Sequence, residues 1–597
     1  MHNFLIQIEK KTGEYKLNGV EPNMVIISAS CTFIYWGVIS NLNENEVRHF
    51  IENREFEIFL FHLKGSFFGC VIVNNIFNVC FSDYFGTFKV FTYENDDLLT
   101  ITNSIFLINV KPKLELYNLL YFLNWGYNFS GFTYFKNIKS IPVGNILRLK
   151  HKRIFQEQCY NLLDTYPIIR NSKKVLFQNL KDGLSLLSKE QKKIVLLLSG
   201  GADSKLLLKL VADLKLKDVE AVNGFWPQNI DSESYFDSIR AKKLAERFNI
   251  PIRSLKFRFP ENISEITKAI ECDPLNAPEG ALPYFFFLEE VKSIYGSNVC
   301  LINGENADTI LQLGLTSRFN KNHPGTILIL VKRYFYSKYY LTKLSKRKPS
   351  LIHSFLLNLS HKKSNIKKIL KGSIPSRIIH SAKEYQLGYL KYEGYMPFQE
   401  KDSILKLDGK YEKNFEEYLL KHYLNPILQS VNKNKDNNMQ LHNVNYLLKL
   451  NSHMAGGNVQ TPFLYAKKLN LTMTFPFRDI KIFSHYYNKK WGLSRIIFGK
   501  NEVYQLTKTK KTETIKEKLT YVAENPYFLH VNNYSFWALA SKLKEEIVFI
   551  IEILPAQIKH KVYDLFITYI ETKQVKDNFQ IIMRLVWVAY SVSKKNK

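Results

Sequence analysis

Lys192 to Ser204 reads Lys-Lys-Ile-Val-Leu-Leu-Leu-Ser-Gly-Gly-Ala-Asp-Ser, and this stretch constrains the fold more than any other. Ile194 to Leu198 is an apolar run of strand length. It ends on Ser199, Gly200 and Gly201, after which Leu206, Leu207, Leu208, Leu210 and Val211 keep helical spacing. A strand that breaks on two glycines and restarts as a helix leaves backbone N–H groups facing the gap. The positive end of the helix dipole stands behind them, so the gap suits phosphate. Gly200 and Gly201 let the backbone approach such a ligand, and the Ser199 and Ser204 hydroxyls add donors. Asp203 repels phosphate unless a cation intervenes, which points to Mg²⁺. The Gly-Lys-Ser/Thr ending of the Walker loop is not found.

The run resembles the pyrophosphate loop (PP-loop) of the ATP pyrophosphatases, which cleave ATP between its α and β phosphates. A glycine turn between a buried strand and a helix is the alternative, and the rest of the chain must discriminate.

A length of 597 residues suggests about two to four domains. With 46% hydrophobic and 14% aromatic residues the chain can build large cores. No apolar run reaches membrane-span length, Met1-His2-Asn3-Phe4 does not open a signal peptide, and a cytoplasmic location is expected. Cys31, Cys70, Cys80, Cys159, Cys272 and Cys300 contain no CxxC pair, against a zinc site or a disulfide scaffold. The net charge of +29 invites a nucleic-acid reading. Charge spread over a large surface is more simply a solvated surface, so nucleic acid is not the expected partner.

Residues 1–155 read as β-rich, with aromatic and β-branched runs between Asn, Gly and Asp turns. Leu63-Lys64-Gly65-Ser66-Phe67-Phe68-Gly69, Ser82-Asp83-Tyr84-Phe85-Gly86 with Phe88 to Tyr93, and Gly131-Phe132-Thr133-Tyr134-Phe135 continuing into Ile141-Pro142-Val143-Gly144-Asn145 stand out. Together they resemble the amino-terminal glutaminase-type domain of asparagine synthetase and its relatives, which implies an Ntn-hydrolase-like sandwich. That glutaminase requires cysteine as residue 2; here residue 2 is His2. Imidazole does not replace a thiolate in forming a thioester, so a catalytically inactive domain is expected.

Residues 156–190 read as a polar helical connector, and 191–535 as the second domain. Val219 to Val222 reads as its second strand, leading into Asn223-Gly224-Phe225-Trp226. A helix with Ile239, Ala241, Leu244 and Ala245 inward ends at Asn249-Ile250-Pro251. Strand, helix, strand, helix is the pattern of a doubly wound parallel sheet, whose ligands sit at the carboxyl ends of the strands. Asp231, Glu233 and Tyr235 resemble the family's "D-E-x-x-Y-A" helix start, and Asp273-Pro274 its "D-x-P". After the strand Val299 to Ile302, Asn303-Gly304-Glu305-Asn306-Ala307-Asp308-Thr309 resembles its "S-G-E/D-G-A/S-D-E", with Asn306 and Thr309 as departures.

The resemblance implies that Leu198, Ser199, Gly200, Gly201, Asp203, Ser204, Gly224 and Gly304 bind ATP and its pyrophosphate. It implies that Asp203 and Asp308 hold Mg²⁺, and that Glu305 acts at the acyl end of the site. A capping aspartate at each helix start is the alternative role for Asp203 and Asp308.

No acidic residue occurs between Asp308 and Glu384, and the basic helical insert at about 315–400 reads as a solvated face or a platform for an acidic partner. Tyr446-Leu447-Leu448-Lys449 to Met454, then Phe475-Pro476-Phe477-Arg478-Asp479, resemble the family's helical carboxyl region. Its catalytic lysine, which stabilises the charge of the adenylate, is carried by Lys508-x-Lys510 or Lys516-x-Lys518, so Lys510 and Lys518 are the candidates. Residues 536–597 read as a carboxyl-terminal helical segment.

The chain is thus similar to the asparagine synthetase superfamily, which includes β-lactam synthetases and lasso-peptide cyclases. The fold class implied is α/β, a β-rich sandwich followed by a PP-loop domain with helical additions. The activity implied is ATP- and Mg²⁺-dependent adenylation of a carboxylate and transfer of the acyl group to an amine, releasing AMP and pyrophosphate. A peptide lactam-forming ligase is favoured, with a small-molecule or peptide carboxylate, an amine donor and a peptide-processing protein as partners. Ammonia-dependent asparagine synthesis or amidation of a cell-envelope sugar is the second reading. A tRNA-modifying PP-loop enzyme and an inactive scaffold are readings from other classes.

Overall fold

The computed structural model describes residues 3–28, 30–150, 153–166, 171–187, 192–226, 233–277, 281–312, 404–407, 409–431, 443–444, 446–489, 501–508, 533–574 and 578–596. The basic insert at about 315–400 lies outside the described residues. Three sheets organise the rest, two antiparallel and one parallel, and the fold is α/β.

The first antiparallel sheet runs β2 (Tyr15–Gly19), β1 (Phe4–Glu9), β8 (Leu98–Thr102), β7 (Phe91–Glu94), β9 (Ile138–Ser140). The second runs β11 (Arg153–Gln158), β10 (Asn145–Lys150), β6 (Ile76–Ser82), β5 (Gly65–Val73), β4 (Cys31–Ile39), β3 (Asn23–Ser28). Strand β1 shows why they pack face to face. Phe4, Ile6 and Ile8 alternate onto one buried side. From there Phe4 stacks on Trp36 and Phe68 of the opposite sheet, with ring centroids 4.2 and 5.3 Å apart. The sandwich ends at Gln158 rather than at 155, because β11 pairs with β10 along its whole length. Its charged, half-exposed sequence hides this edge strand from a hydrophobicity reading.

The parallel sheet has the order β14 (Ile252–Lys256), β13 (Val219–Phe225), β12 (Lys193–Leu197), β15 (Val299–Ile302), β16 (Thr472–Thr474). Ile194, Val195 and Leu196, like Val299 to Ile302, are buried without alternation, as in a sheet covered on both faces. The chain steps from β12 outward to β13 and β14, then returns to the other side of β12 with β15. The order therefore reverses between β12 and β15. In open α/β sheets such a switch point, at the carboxyl ends of the strands, is where ligands bind.

The connector is more than a spacer. Its helix Ser172–Leu187 buries Leu176, Leu180 and Leu184, and packs on the helices Ala202–Asp213 and Ile480–Asn488. The carboxyl-terminal segment is likewise a clamp. From the last helix, Phe579–Asn596, Arg584 donates to the Leu123 and Asn124 carbonyls of the sandwich. Three residues on, the Trp587 indole N–H donates to the Asp273 carbonyl of the second domain at 3.0 Å. Among the described residues no helix is long and apolar enough to cross a membrane.

Trp587 is fully buried and bonded across this junction. Trp587→Ala is expected to destabilise the protein by about 3–5 kcal/mol, measured by urea unfolding. A loss below about 1 kcal/mol would show that the last helix does not hold the two parts together.

Candidate functional site

The helix Ala202–Asp213 starts directly after β12, with Gly201 as its N-cap residue. Gly200 has φ +73°, and a Cβ there would lie 2.8 Å from the Asp237 carbonyl oxygen and 2.9 Å from Arg240 Cβ. Only glycine fits that turn. The two hydroxyls expected to face a ligand first tie the loop to itself. Ser199 Oγ lies 3.2 Å from Ser204 Oγ, and Ser204 Oγ donates to the Gly201 carbonyl at 3.1 Å. Asp203 is half-buried in the first helical turn.

Two of the residues expected to contact ATP have a structural role in the loop and its sheet. Leu198 is buried, its N–H donates to the Val222 carbonyl, and its own carbonyl accepts from Asn223 Nδ2 at 2.7 Å. It anchors the loop. Gly224 lies inside β13, where a Cβ would be 2.4 Å from the Phe257 ring. Packing against that ring requires glycine there, independently of any nucleotide.

The second loop leaves β15 beside the first. A Cβ on Gly304 would sit 3.8 Å from the Ser204 backbone nitrogen and 3.4 Å from Leu207 Cδ1, so the loops are in near contact. Asn303 Oδ1 accepts from the Glu305 N–H at 2.9 Å, shaping the turn. Asn306 has φ +69°, the left-handed region that asparagine tolerates better than other side chains, so the turn accepts it without glycine. Asp308 is half-buried in the first turn of the helix Ala307–Gln312, and Glu305 is exposed. The structure thus brings Ser199, Gly200, Gly201, Asp203, Ser204, Gly304, Glu305 and Asp308 to one switch point.

Two carboxylates beside two helix starts, with glycine backbone between them, fit the polyphosphate and magnesium of ATP, because phosphate oxygens would complete the metal's ligands. Among the described residues no group of three or more His, Cys, Asp and Glu forms a self-sufficient metal site. Lys510 and Lys518, together with Asp231, lie outside the described residues. Lys508 is exposed at the end of the helix Asn501–Thr507, which packs on the helix Ala202–Asp213 leaving the glycine loop.

Arg478 holds the second loop from behind, a role the sequence did not disclose. Its Nη1 donates to Asn306 Oδ1 at 3.1 Å and to the Met454 carbonyl at 2.7 Å. Its Nη2 donates to the Phe85 carbonyl at 2.7 Å. Burial lowers its pKa to about 10, against the opposing pull of Asp83 and Glu305, so it stays charged near neutrality. Asp83 accepts from the Thr87 and Phe88 N–H groups at 3.0 and 2.8 Å, while burial pushes its carboxyl up and Arg478 pulls it down. Asp273, also buried, accepts from Thr461 Oγ1 at 2.6 Å and from Asn276. Another residue missed from sequence is Lys467, whose ammonium sits 3.6 Å from the Phe88 ring centroid. Burial lowers its pKa from 10.5 to about 7.

No protein-family model matches the chain, and no characterised protein matches it in sequence. Solved structures do match it. One is glutamine phosphoribosylpyrophosphate (PRPP) amidotransferase from B. subtilis complexed with ADP and GMP. It is 10% identical, with coverage of 50% of this chain and 68% of that one, and a TM-score of 0.15. A likeness at that score carries no argument about this chain.

Gly200→Ala is expected to cost on the order of 1–3 kcal/mol in urea unfolding. Gly201→Ala, with φ −75° and only Ser199 Oγ at 3.4 Å, should cost less than about 1 kcal/mol. Equal costs would show that the turn is not strained.

Lys467 gives a pH signature. Between about pH 7 and 10.5 the unfolded chain holds a proton that the native chain lacks, so stability rises with pH across that window. Below about 7 both states are protonated and the penalty is complete. Lys467→Met should therefore stabilise the protein at about pH 6 by on the order of 2–3 kcal/mol, allowing for water in the adjoining cavity, and progressively less toward about pH 9. A pH-independent difference in denaturation midpoint would refute the assignment.

Proposed function

We propose that the protein is an ATP-dependent carbon–nitrogen ligase that adenylates a carboxylate and passes the acyl group to an amine, releasing AMP and pyrophosphate. The observation that carries this reading is the meeting of the loops Ser199–Ser204 and Gly304–Asp308 at the strand-order reversal between β12 and β15. On this reading the amino-terminal sandwich is Ntn-hydrolase-like and the parallel-sheet part is a PP-loop domain.

Backbone N–H groups at Gly201 to Ser204 would hold the pyrophosphate end of ATP, and Asp203 and Asp308 would hold Mg²⁺. The metal neutralises charge on the leaving pyrophosphate when bound. Glu305, exposed on the second loop, orients the acyl substrate or takes the amine proton. A lysine from the segment after Lys508, with Lys510 and Lys518 as candidates, stabilises the adenylate charge.

The reading takes no nitrogen from glutamine, because residue 2 is His2 rather than cysteine, and the shifts of three sandwich thiols agree with that. Cys70 is buried, with its pKa pushed up by burial and the neighbouring Cys80. Burial and Glu52 raise Cys31, and burial with Glu57 and Glu157 pushes Cys159 to about 12. A raised pKa in Cys31, Cys70 and Cys159 favours the protonated thiol, the reverse of what a nucleophile requires. An amine supplied by the substrate itself suits that state, and a peptide carboxylate closed onto a peptide amine is the preferred reaction.

The test is ATP–pyrophosphate exchange with Mg²⁺, in parallel with aspartate plus ammonia and with acidic peptides bearing a free amino terminus. Exchange is expected with peptide, and Asp203→Ala and Asp308→Ala should each lower it at least about a hundredfold. Exchange with aspartate and ammonia alone would make the protein a synthetase of free amino acids instead. Silence with every substrate, together with no binding of ATP, would overturn the ligase reading.

A further inference from the structure

A cavity of about 250 Å³ lies apart from the glycine loops, where the sandwich meets the edge of the parallel sheet. Its walls come from the ends of β4 and β5, the turn at Asp83 to Phe88, the connector helix Ser172–Leu187, and the stretch from Phe463 through β16 to Ile480. A cavity of about 150 Å³ already holds benzene, so this one takes a body the size of a small amino acid or an arylacetate.

The charges on its walls do not cancel. Lys64 pairs with Asp479 at 2.6 Å. Arg478 is opposed by Asp83 and engaged by the Phe85, Met454 and Asn306 oxygens. Lys467 is left over. Neither a hydrogen bond nor an ion pair reaches it from the described residues, and its ammonium rests on the Phe88 ring face. A ring face and the carboxyl end of the helix Gly457–Lys468 offset only part of the cost of desolvating an ammonium. The remainder is a standing preference for an anion at that spot. The preference is for one negative charge, because one cation is uncompensated wherever Lys467 keeps its proton, up to about pH 7 in the empty cavity. The lining from Phe88, Phe463, Leu187 and Met473 is apolar, which disfavours a phosphate dianion and favours a carboxylate carried on a hydrocarbon body.

We propose that this cavity binds a small organic monocarboxylate, whose charged end pairs with Lys467 and whose apolar body lies against Phe88, Phe463 and Met473. The site is separate from the glycine loops and does not depend on the ligase reading.

Isothermal titration of the full-length protein with phenylacetate, hexanoate and isobutyrate, beside neutral 2-phenylacetamide, tests it. Lys467→Met removes the charge. Gly183→Leu fills the space instead, since Gly183 lines the cavity and a Cβ there meets nothing within 4 Å. At least one of the carboxylates should bind the wild type, and each variant should weaken it at least about tenfold while the thermal unfolding transition stays cooperative. The amide should bind wild type and Lys467→Met alike. No binding of any of the three carboxylates at millimolar concentration, or equal carboxylate binding to Lys467→Met, would overturn the proposal.

Discussion

A guanidinium taken out of water needs acceptors, and three segments remote in sequence supply them to the two terminal nitrogens of Arg478, while its buried Nε has none. Its partners are the Phe85 carbonyl in the sandwich, the Met454 carbonyl, and Asn306 on the loop after β15. Removing any one of them would add a second empty donor on a desolvated charge, which costs more than an ordinary hydrogen bond is worth. The loop carrying Glu305 and Asp308 is therefore held by the sandwich as much as by its own sheet. Asp83 reinforces the arrangement, because its carboxylate accepts from the Thr87 and Phe88 N–H groups and so fixes the turn that offers Phe85 to Arg478.

This junction gives the sandwich a role that needs no chemistry of its own. Its aromatic core and paired sheets form a stiff wall, and the contacts that leave that wall converge on the second domain. Tyr134 donates to the Pro274 carbonyl at 2.8 Å, and Gln460 donates to the Gly86 carbonyl at 2.7 Å. The last helix closes the same seam from outside through Arg584 and Trp587. Rigid support of this kind is what a site relying on positioned backbone and carboxylates demands, since small displacements weaken electrostatic stabilisation steeply.

The sequence disclosed those parts of the fold whose cause is local. The run from Ile194 to Val211 announced strand, turn and helix because apolar period and glycine sit together within one short stretch. Asp203 and Asp308 were legible for the same reason, each lying just past a buried strand. Causes that lie across the chain were not legible. Arg478 and Phe85 are 393 residues apart, and nothing around either announces the other. Strand β16 is three residues, Thr472–Thr474, too short and too polar to show a period, although it completes the sheet edge. Gly224 looked like a nucleotide contact because a glycine after a strand invites that reading. The Phe257 ring that requires it belongs to a segment across the neighbouring strand.

Arg478 also connects the two sites. It lines the cavity beside Lys467, and it hydrogen-bonds the loop that carries Asp308. A guanidinium fixed by three acceptors has little freedom to move, so an influence of one site on the other would run through charge rather than through displacement. A carboxylate resting on Lys467 adds negative potential to a low-dielectric pocket that Arg478 shares, and it strengthens the preference of Arg478 for its charged form. The same potential reaches Glu305, whose field already acts on Arg478. An anion bound in the proposed cavity would therefore meet, in Arg478, a charge already under the influence of Asp83 and Glu305.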